Sequence, residues 1–190
     1  MTPQVPRDVS GIEMMFDDVM TPEREMILRE LAPGFTIRQA EGVPSPFVFS
    51  SPHSGRTYPA SFLASSRLTP ETIRRSEDGF VDDLFANVTA FGAPLIAVRF
   101  PRAYLDLNRE PFELDPLLFR EPVPEFANTN SVRVISGLGT LARVVADNEA
   151  IYHQPLPISV ALDRISLLYK PFHTALTELL AQRRRAFGHA

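Results

Sequence analysis

Residues 92–116 read GAPLIAVRFPRAYLDLNREPFELDP. After Gly92, the run PLIAVRF at 94–100 is short and almost wholly apolar. Such a run reads as a buried strand of an α/β sheet. AYLDLN at 103–108 then alternates. On an extended chain Ala103, Leu105 and Leu107 share one face, and Tyr104, Asp106 and Asn108 share the other. Arg102 and Arg109 flank this second segment, so the stretch joins a core strand to a dense set of polar groups.

Working upstream, residues 68–91 carry a helical pattern. Thr69 suits the cap and Pro70 the first turn, and Leu68 can staple onto Ile73. Val81, Leu84, Phe85 and Val88 give an i, i+3, i+4, i+7 stripe, with Gly92 as the stop. Phe47, Val48 and Phe49 read as a short buried strand running into SSPHSG. Residues 20–31 form a helix capped by Thr21 with Pro22 at its first position. Downstream, residues 131–135 read as a further strand before the Gly-rich SGLG. Residues 159–187 form a long amphipathic helix that Pro171 should kink or divide. Strands alternating with helices predict an α/β fold, with a largely parallel or mixed sheet flanked by helices. One domain is expected over residues 1–190, with 1–40 a variable N-terminal segment. The strand that should follow the last helix is missing, which leaves the expectation of bare apolar helix surface and an open sheet edge.

Composition bounds the function. Hydrophobic residues make up 44% of the 190-residue chain, enough for one sizeable core, and the net charge is −4. That charge gives no reason to expect nucleic acid or an anionic membrane as partner. No apolar run approaches the roughly 20 residues of a membrane span. The N-terminus lacks the basic-then-apolar pattern of a secretory signal, and these features together favour a cytoplasmic protein. Cysteine is absent, so any metal must rest on His and carboxylates. Many of the 18 prolines lie in loops, at 43–46, 110–116, 121–126 and 154–157.

Four places carry candidate chemistry. His53 follows the first predicted strand, where α/β sheets bind ligands; it reads as a metal ligand or as a locally hydrogen-bonded loop residue. Glu77 and Asp78 sit early in the predicted 68–91 helix. A wheel puts Glu77 on the apolar stripe and Asp78 at its border, so either is a ligand or general base, or both are first-turn acids favoured by the helix dipole. Arg102 and Arg109 offer bidentate recognition of a carboxylate, with Asp106 orienting one of them; a structural salt-bridge network is the alternative. By strand parity Arg102 shares the face of Asp106 and Asn108, whereas Arg109 reaches it only if the chain turns after Asn108. His173 reads as a core or partly buried helix residue, a site role being the lesser reading, and Arg183, Arg184 and Arg185 as a solvated helix end rather than a binding patch. His153 and His189 have no supporting context.

PHSGRTYP, RSEDGFVDDLF and GAPLIAVRFPRAYLDLNREPFELDP, in that order, resemble the N-formylglutamate amidohydrolase family. GLGTLARVV, EAIYHQPLP and YKPFHTAL also match its pattern, more weakly. The resemblance implies a zinc-peptidase-like α/β fold and hydrolysis of the N-acyl amide of a small N-acyl amino acid, N-formyl-L-glutamate being the reference substrate. It implies Zn²⁺ held by His53 and an acid of RSED, with Asp78 matching better than Glu77, and Arg102, Asn108 and Arg109 in the substrate pocket. The family continues into a strand with a DCHS-like motif whose His completes the metal site. This sequence has no such segment, and the expectation is of a chain truncated at its C-terminus. Two other readings stand beside this one: a remnant that binds carboxylated ligands without turnover, and an amidase for a larger N-acyl substrate.

Overall fold

The computed structural model describes residues 20–188; the readings of the N-terminus and of His189 fall outside them. The first helix, α1, spans Pro22–Met26 and runs into a π turn, Ile27–Leu31. It starts as its sequence directs, with the Arg24 amide donating to Thr21 Oγ1 at 3.0 Å. A strand absent from the sequence reading follows: β1, Phe35–Arg38. Its partners are β2, Phe49–Ser51, and β3, Leu95–Val98. The sheet order is β1-β3-β2, with β3 antiparallel to β1 and parallel to β2. The sheet is therefore mixed and three-stranded.

β3 is buried along its whole length, as its apolar run requires. β2 sits at the edge, so the expectation of a buried 47–49 strand fails. The strand begins two residues later than Phe47, whose exposure is 65%.

Helices cover the β1 side. α1 packs on the helix α6, Ile158–Arg164. A π turn, Ile165–Tyr169, joins α6 to α7, Lys170–Phe187. Pro171 lacks the amide a regular helix would use, and the wide turn just before it takes up that break without ending the helix. Phe35 of β1 meets Phe172 of α7 edge to face, with ring centroids 5.8 Å apart.

The predicted 68–91 helix is four short pieces. α3, Pro70–Ile73, is capped by Thr69 and passes into a 3₁₀ turn, Arg74–Ser76. After a break come α4, Val81–Leu84, and a second 3₁₀ turn, Ala86–Phe91. At the break Phe80 adopts φ 65°, a left-handed conformation that a helix excludes. Two further readings are corrected. Residues 101–109 are turns rather than a strand, and 132–135 form a helical turn, α5, Val132–Ile135, whose Ser131 hydroxyl accepts from the Val134 amide at 3.1 Å. Between α2, Ala60–Ser65, and α6 much of the chain is ordered loop.

Candidate functional site

The site gathers where the loops after β2 and β3 meet. Beyond β2, Ser51 and Ser54 join their hydroxyls at 2.7 Å, and the loop lies against the end of β3 through the Thr57 amide, which donates to Arg99 O at 2.8 Å. Gly55 makes that approach feasible, because a Cβ there would stand 2.1 Å from Phe100 O. His53 is thereby held in the interior with its side chain 7% exposed.

Carboxylates engage both imidazole nitrogens. Asp106 Oδ1 lies 2.8 Å from Nε2, and Asp78 Oδ2 lies 3.2 Å from Nδ1. The backbone brings these segments together as well, since the Asp78 amide donates to His53 O at 3.1 Å. The two acids differ in setting: the Asp106 side chain is 5% exposed and that of Asp78 53%.

Asp106 sits at the centre of a wider set of partners. Its Oδ2 accepts from Arg102 Nε at 3.0 Å and lies 3.5 Å from Arg109 Nε; its Oδ1 accepts from the Asn108 amide at 2.9 Å. Burial pushes its carboxyl upward, but the His53 hydrogen bond and charge, the Arg102 charge and the Asn108 amide outweigh that, and its pKa falls to about 2. Asp106 is therefore an anion at neutral pH, suited to orienting His53 rather than to exchanging protons.

Sequence candidates separate on these distances. Glu77 points away from His53: its side chain is 5% exposed, accepts from the Tyr58 hydroxyl at 2.5 Å and lies 3.3 Å from Arg74. That bond and burial hold the Tyr58 hydroxyl well above its usual range, burial being the larger cause. Glu77 does turn inward, toward a tyrosine, but not on the helix that the wheel assumes: it follows the 3₁₀ turn at 74–76, and Leu84 of the same stripe is exposed. Arg102 and Arg109 both reach Asp106, with different freedom. Arg109 is 12% exposed and also donates to Leu138 O and Asn108 O. The terminal nitrogens of Arg102 have no protein partner among the described residues, and its side chain is 31% exposed. Asn108 contributes a backbone amide to Asp106.

His173, expected to be partly buried, and Tyr169, which the sequence reading passed over, both support the site. His173 Nε2 lies 2.9 Å from Leu107 O, and the Tyr169 hydroxyl donates to Arg109 O at 2.6 Å. Two side chains of the last helices thus hold the backbone of the 106–109 loop. Their i, i+4 spacing was visible; their target was not. His153 donates its amide to Ser65 O, and Arg184 lies in the last turn of α7, its carbonyl accepting the Gly188 amide.

The donor set bears on metal binding. His53 Nδ1 and Asp78 share one side of the ring, while Asp106 grips Nε2 from the other, in the manner of a carboxylate that orients a metal-bound histidine. His53 and Asp78 fit two positions of a four-coordinate site. No group of three or more His, Asp or Glu side chains among the described residues is arranged to hold an ion. No helix among those residues is long and apolar enough to cross a membrane.

A family profile described as N-formylglutamate amidohydrolase matches residues 45–190. The crystal structure of N-formylglutamate amidohydrolase from Ralstonia eutropha JMP134 is similar at 35% identity and a TM-score of 0.75, over 82% of this chain and 54% of that one. A gene product from Agrobacterium tumefaciens shares the fold at 19% identity and a TM-score of 0.57, over 82% of this chain and 52% of that one. This chain therefore spans about half the length of the solved structures it matches. No curated protein matches. The profile match and the 35% identical structure agree, and the chain belongs to the N-formylglutamate amidohydrolase family.

Proposed function

We propose that this chain carries the core of a metal-dependent amidohydrolase that cleaves the formyl amide of an N-formyl amino acid such as N-formyl-L-glutamate. The observation that carries the reading is His53 held between two carboxylates, one buried and one half-exposed, beside an arginine with free terminal nitrogens.

His53 Nδ1 and Asp78 are the residues that would hold the metal, with Zn²⁺ the ion their N and O donors and the family favour. Such an ion, when bound, polarises a carbonyl and makes water acidic enough to attack near neutral pH. The chain's own residues do the rest. Asp106 fixes the His53 tautomer, because an anion at Nε2 requires the proton there and leaves Nδ1 as the donor atom. Arg102, anchored through Nε, turns its two remaining nitrogens toward a substrate carboxylate. Arg109 braces Asp106 and the loop backbone. Glu77, committed to Tyr58 and Arg74, is not placed to take a proton at His53.

Elemental analysis of zinc in the purified chain and in His53→Ala tests the metal site. Binding is expected to be weak, since two protein donors are in place, and to disappear in the variant; equal retention in both would overturn the site. Calorimetry with N-formyl-L-glutamate tests Arg102: its truncation should weaken binding roughly ten- to a hundred-fold, as losing a charged hydrogen bond does.

A further inference from the structure

A cavity of about 260 Å³ opens directly beyond Arg102 and Asp106. Leu138, Ala142, Val144 and Val145 give it an apolar lining. Ala142, Val144 and Val145 are buried, so these side chains are fixed by the core. Arg102 is the only cation among the described residues that line it. Asp147 and Asn148 close the rim, both in left-handed backbone at φ 60° and 58°, and Arg75 ties that strap down through Asp147 at 2.6 Å and Glu149 at 3.4 Å. His53 and Asp78 do not line it, whereas Asp106, the partner of His53, does, so the cavity adjoins the place where the amide would be cut.

A ligand whose carboxylate sits on the free nitrogens of Arg102 would send its next group into this space. A second carboxylate among Leu138, Val144 and Val145 would find no counter-charge there, and an unpaired buried charge is strongly disfavoured. An uncharged aliphatic group would instead gain by leaving water. The volume equals that of roughly nine waters, ample for a side chain of four heavy atoms.

We infer that this cavity is a side-chain subsite, and that the protein also takes N-formyl amino acids with uncharged aliphatic side chains, such as N-formyl-L-leucine. The inference rests on the amidohydrolase reading for the position of the scissile bond. The reaction is plain hydrolysis: water adds to the formyl carbon, the carbon–nitrogen bond breaks, the amine nitrogen takes a proton, and formate and the free amino acid leave. Leu138, Ala142, Val144 and Val145 would select the side chain without touching the reacting atoms.

The test is calorimetric binding of N-formyl-L-leucine, N-formylglycine and N-formyl-L-glutamate to the full chain with added zinc, repeated on Ala142→Leu and Arg102→Ala. Leucine should exceed glycine roughly ten- to a hundred-fold, the value of burying one such side chain. Ala142→Leu fills the cavity and should collapse that ratio toward one, with its unfolding midpoint checked beside the unmodified chain. Val145→Ala, which enlarges the space, should keep the ratio above one and guards against a misfolded first variant. A leucine-to-glycine ratio of one in the unmodified chain, or a ratio unmoved by Ala142→Leu, overturns the subsite. Both results leave the amidohydrolase reading standing if glutamate binding still falls in Arg102→Ala. A ratio that persists while Arg102→Ala alters no ligand overturns the carboxylate seat on Arg102 and with it this placement of the side chain, and failure to bind any of the three overturns the subsite as well.

Discussion

Asp106 and Asp78 grip opposite sides of one imidazole, yet they come from regions built in different ways. Asp106 belongs to a turn whose backbone is held on every side: its own amide donates to Thr140 O at 2.8 Å, His173 and Tyr169 hold the carbonyls of Leu107 and Arg109, and Arg164 donates to Tyr104 O at 2.9 Å. Asp78 belongs to a broken helix whose apolar residues reach solvent, Leu84 at 77% and Phe91 at 78% exposure. One carboxylate is therefore fixed before any ligand arrives, and the other hangs from a sparsely packed segment. A site so divided is preorganised on the side of Arg102 and the cavity, and adaptable on the side of the proposed metal.

The largest expected effect lies at the base of the rigid half. Arg164 is 2% exposed, and its guanidinium lies 3.6 Å from the centre of the Tyr104 ring. Glu23 is its acidic partner at 2.6 Å and also accepts from the Tyr104 hydroxyl at 2.5 Å. Removing that acid leaves a buried cation uncompensated. Glu23→Ala is expected to cost about 3–5 kcal/mol in urea unfolding. Arg75→Ala, which breaks pairs at the half-exposed rim, should cost under about 1 kcal/mol. Equal losses would erase the contrast between the two regions.

A smaller effect, sited at the imidazole itself, sharpens it. Asp106→Asn keeps the shape and removes the anion that orients His53 and anchors Arg102. Zinc affinity should fall about 10–100-fold, the usual consequence of losing a carboxylate behind a metal-bound histidine. Glu77→Gln should leave zinc affinity unchanged, because that side chain faces Tyr58. A titration in which Glu77→Gln weakens zinc as much as Asp106→Asn would move the proposed ligand from Asp78 to its neighbour.

How much of this was legible in the sequence follows the range of the interactions involved. The cap of α1 was readable because Thr21 and Arg24 meet within one turn. β3 was readable because seven consecutive residues carry the signal. β1 was not, since FTIR becomes a strand only by pairing with β3 about sixty residues away. The alternation at 103–108 was real, yet the chain turns there: the Tyr104 amide bonds back to Pro101 O at 2.9 Å, and Ala103, Tyr104 and Leu105 are all buried. The parity argument thus put Arg102 and Asp106 together for a reason that does not hold, while the i, i+4 spacing of a turn gives the same contact. Val132–Ile135 misled because β-branched residues favour strands, whereas the Ser131 cap decides locally for a helical turn. His53, Asp78 and Arg102 were singled out from residue type, position and family resemblance; the resemblance favoured Asp78 over Glu77 against the helical wheel, which does not contain the break at Phe80.

The smallest expected effect concerns that break. Leu84 belongs to the stripe that the sequence offered as a core face, so a packed helix would lose heavily on its removal: truncating a buried leucine costs about 2–5 kcal/mol. In the structure the residue is 77% exposed and lies on α4, a single turn of helix. Little area leaves water at this position when the chain folds, and little is lost when the side chain goes. Leu84→Ser is therefore expected to change unfolding free energy by no more than about 0.5 kcal/mol, the range of ordinary surface substitutions. Val98, 4% exposed on β3, supplies a buried control, where Val98→Ala should cost several times more. A loss at Leu84 as large as that at Val98 would mean that the 81–91 face is covered in solution, and the contrast between the two carboxylates of His53 would then lose its physical basis.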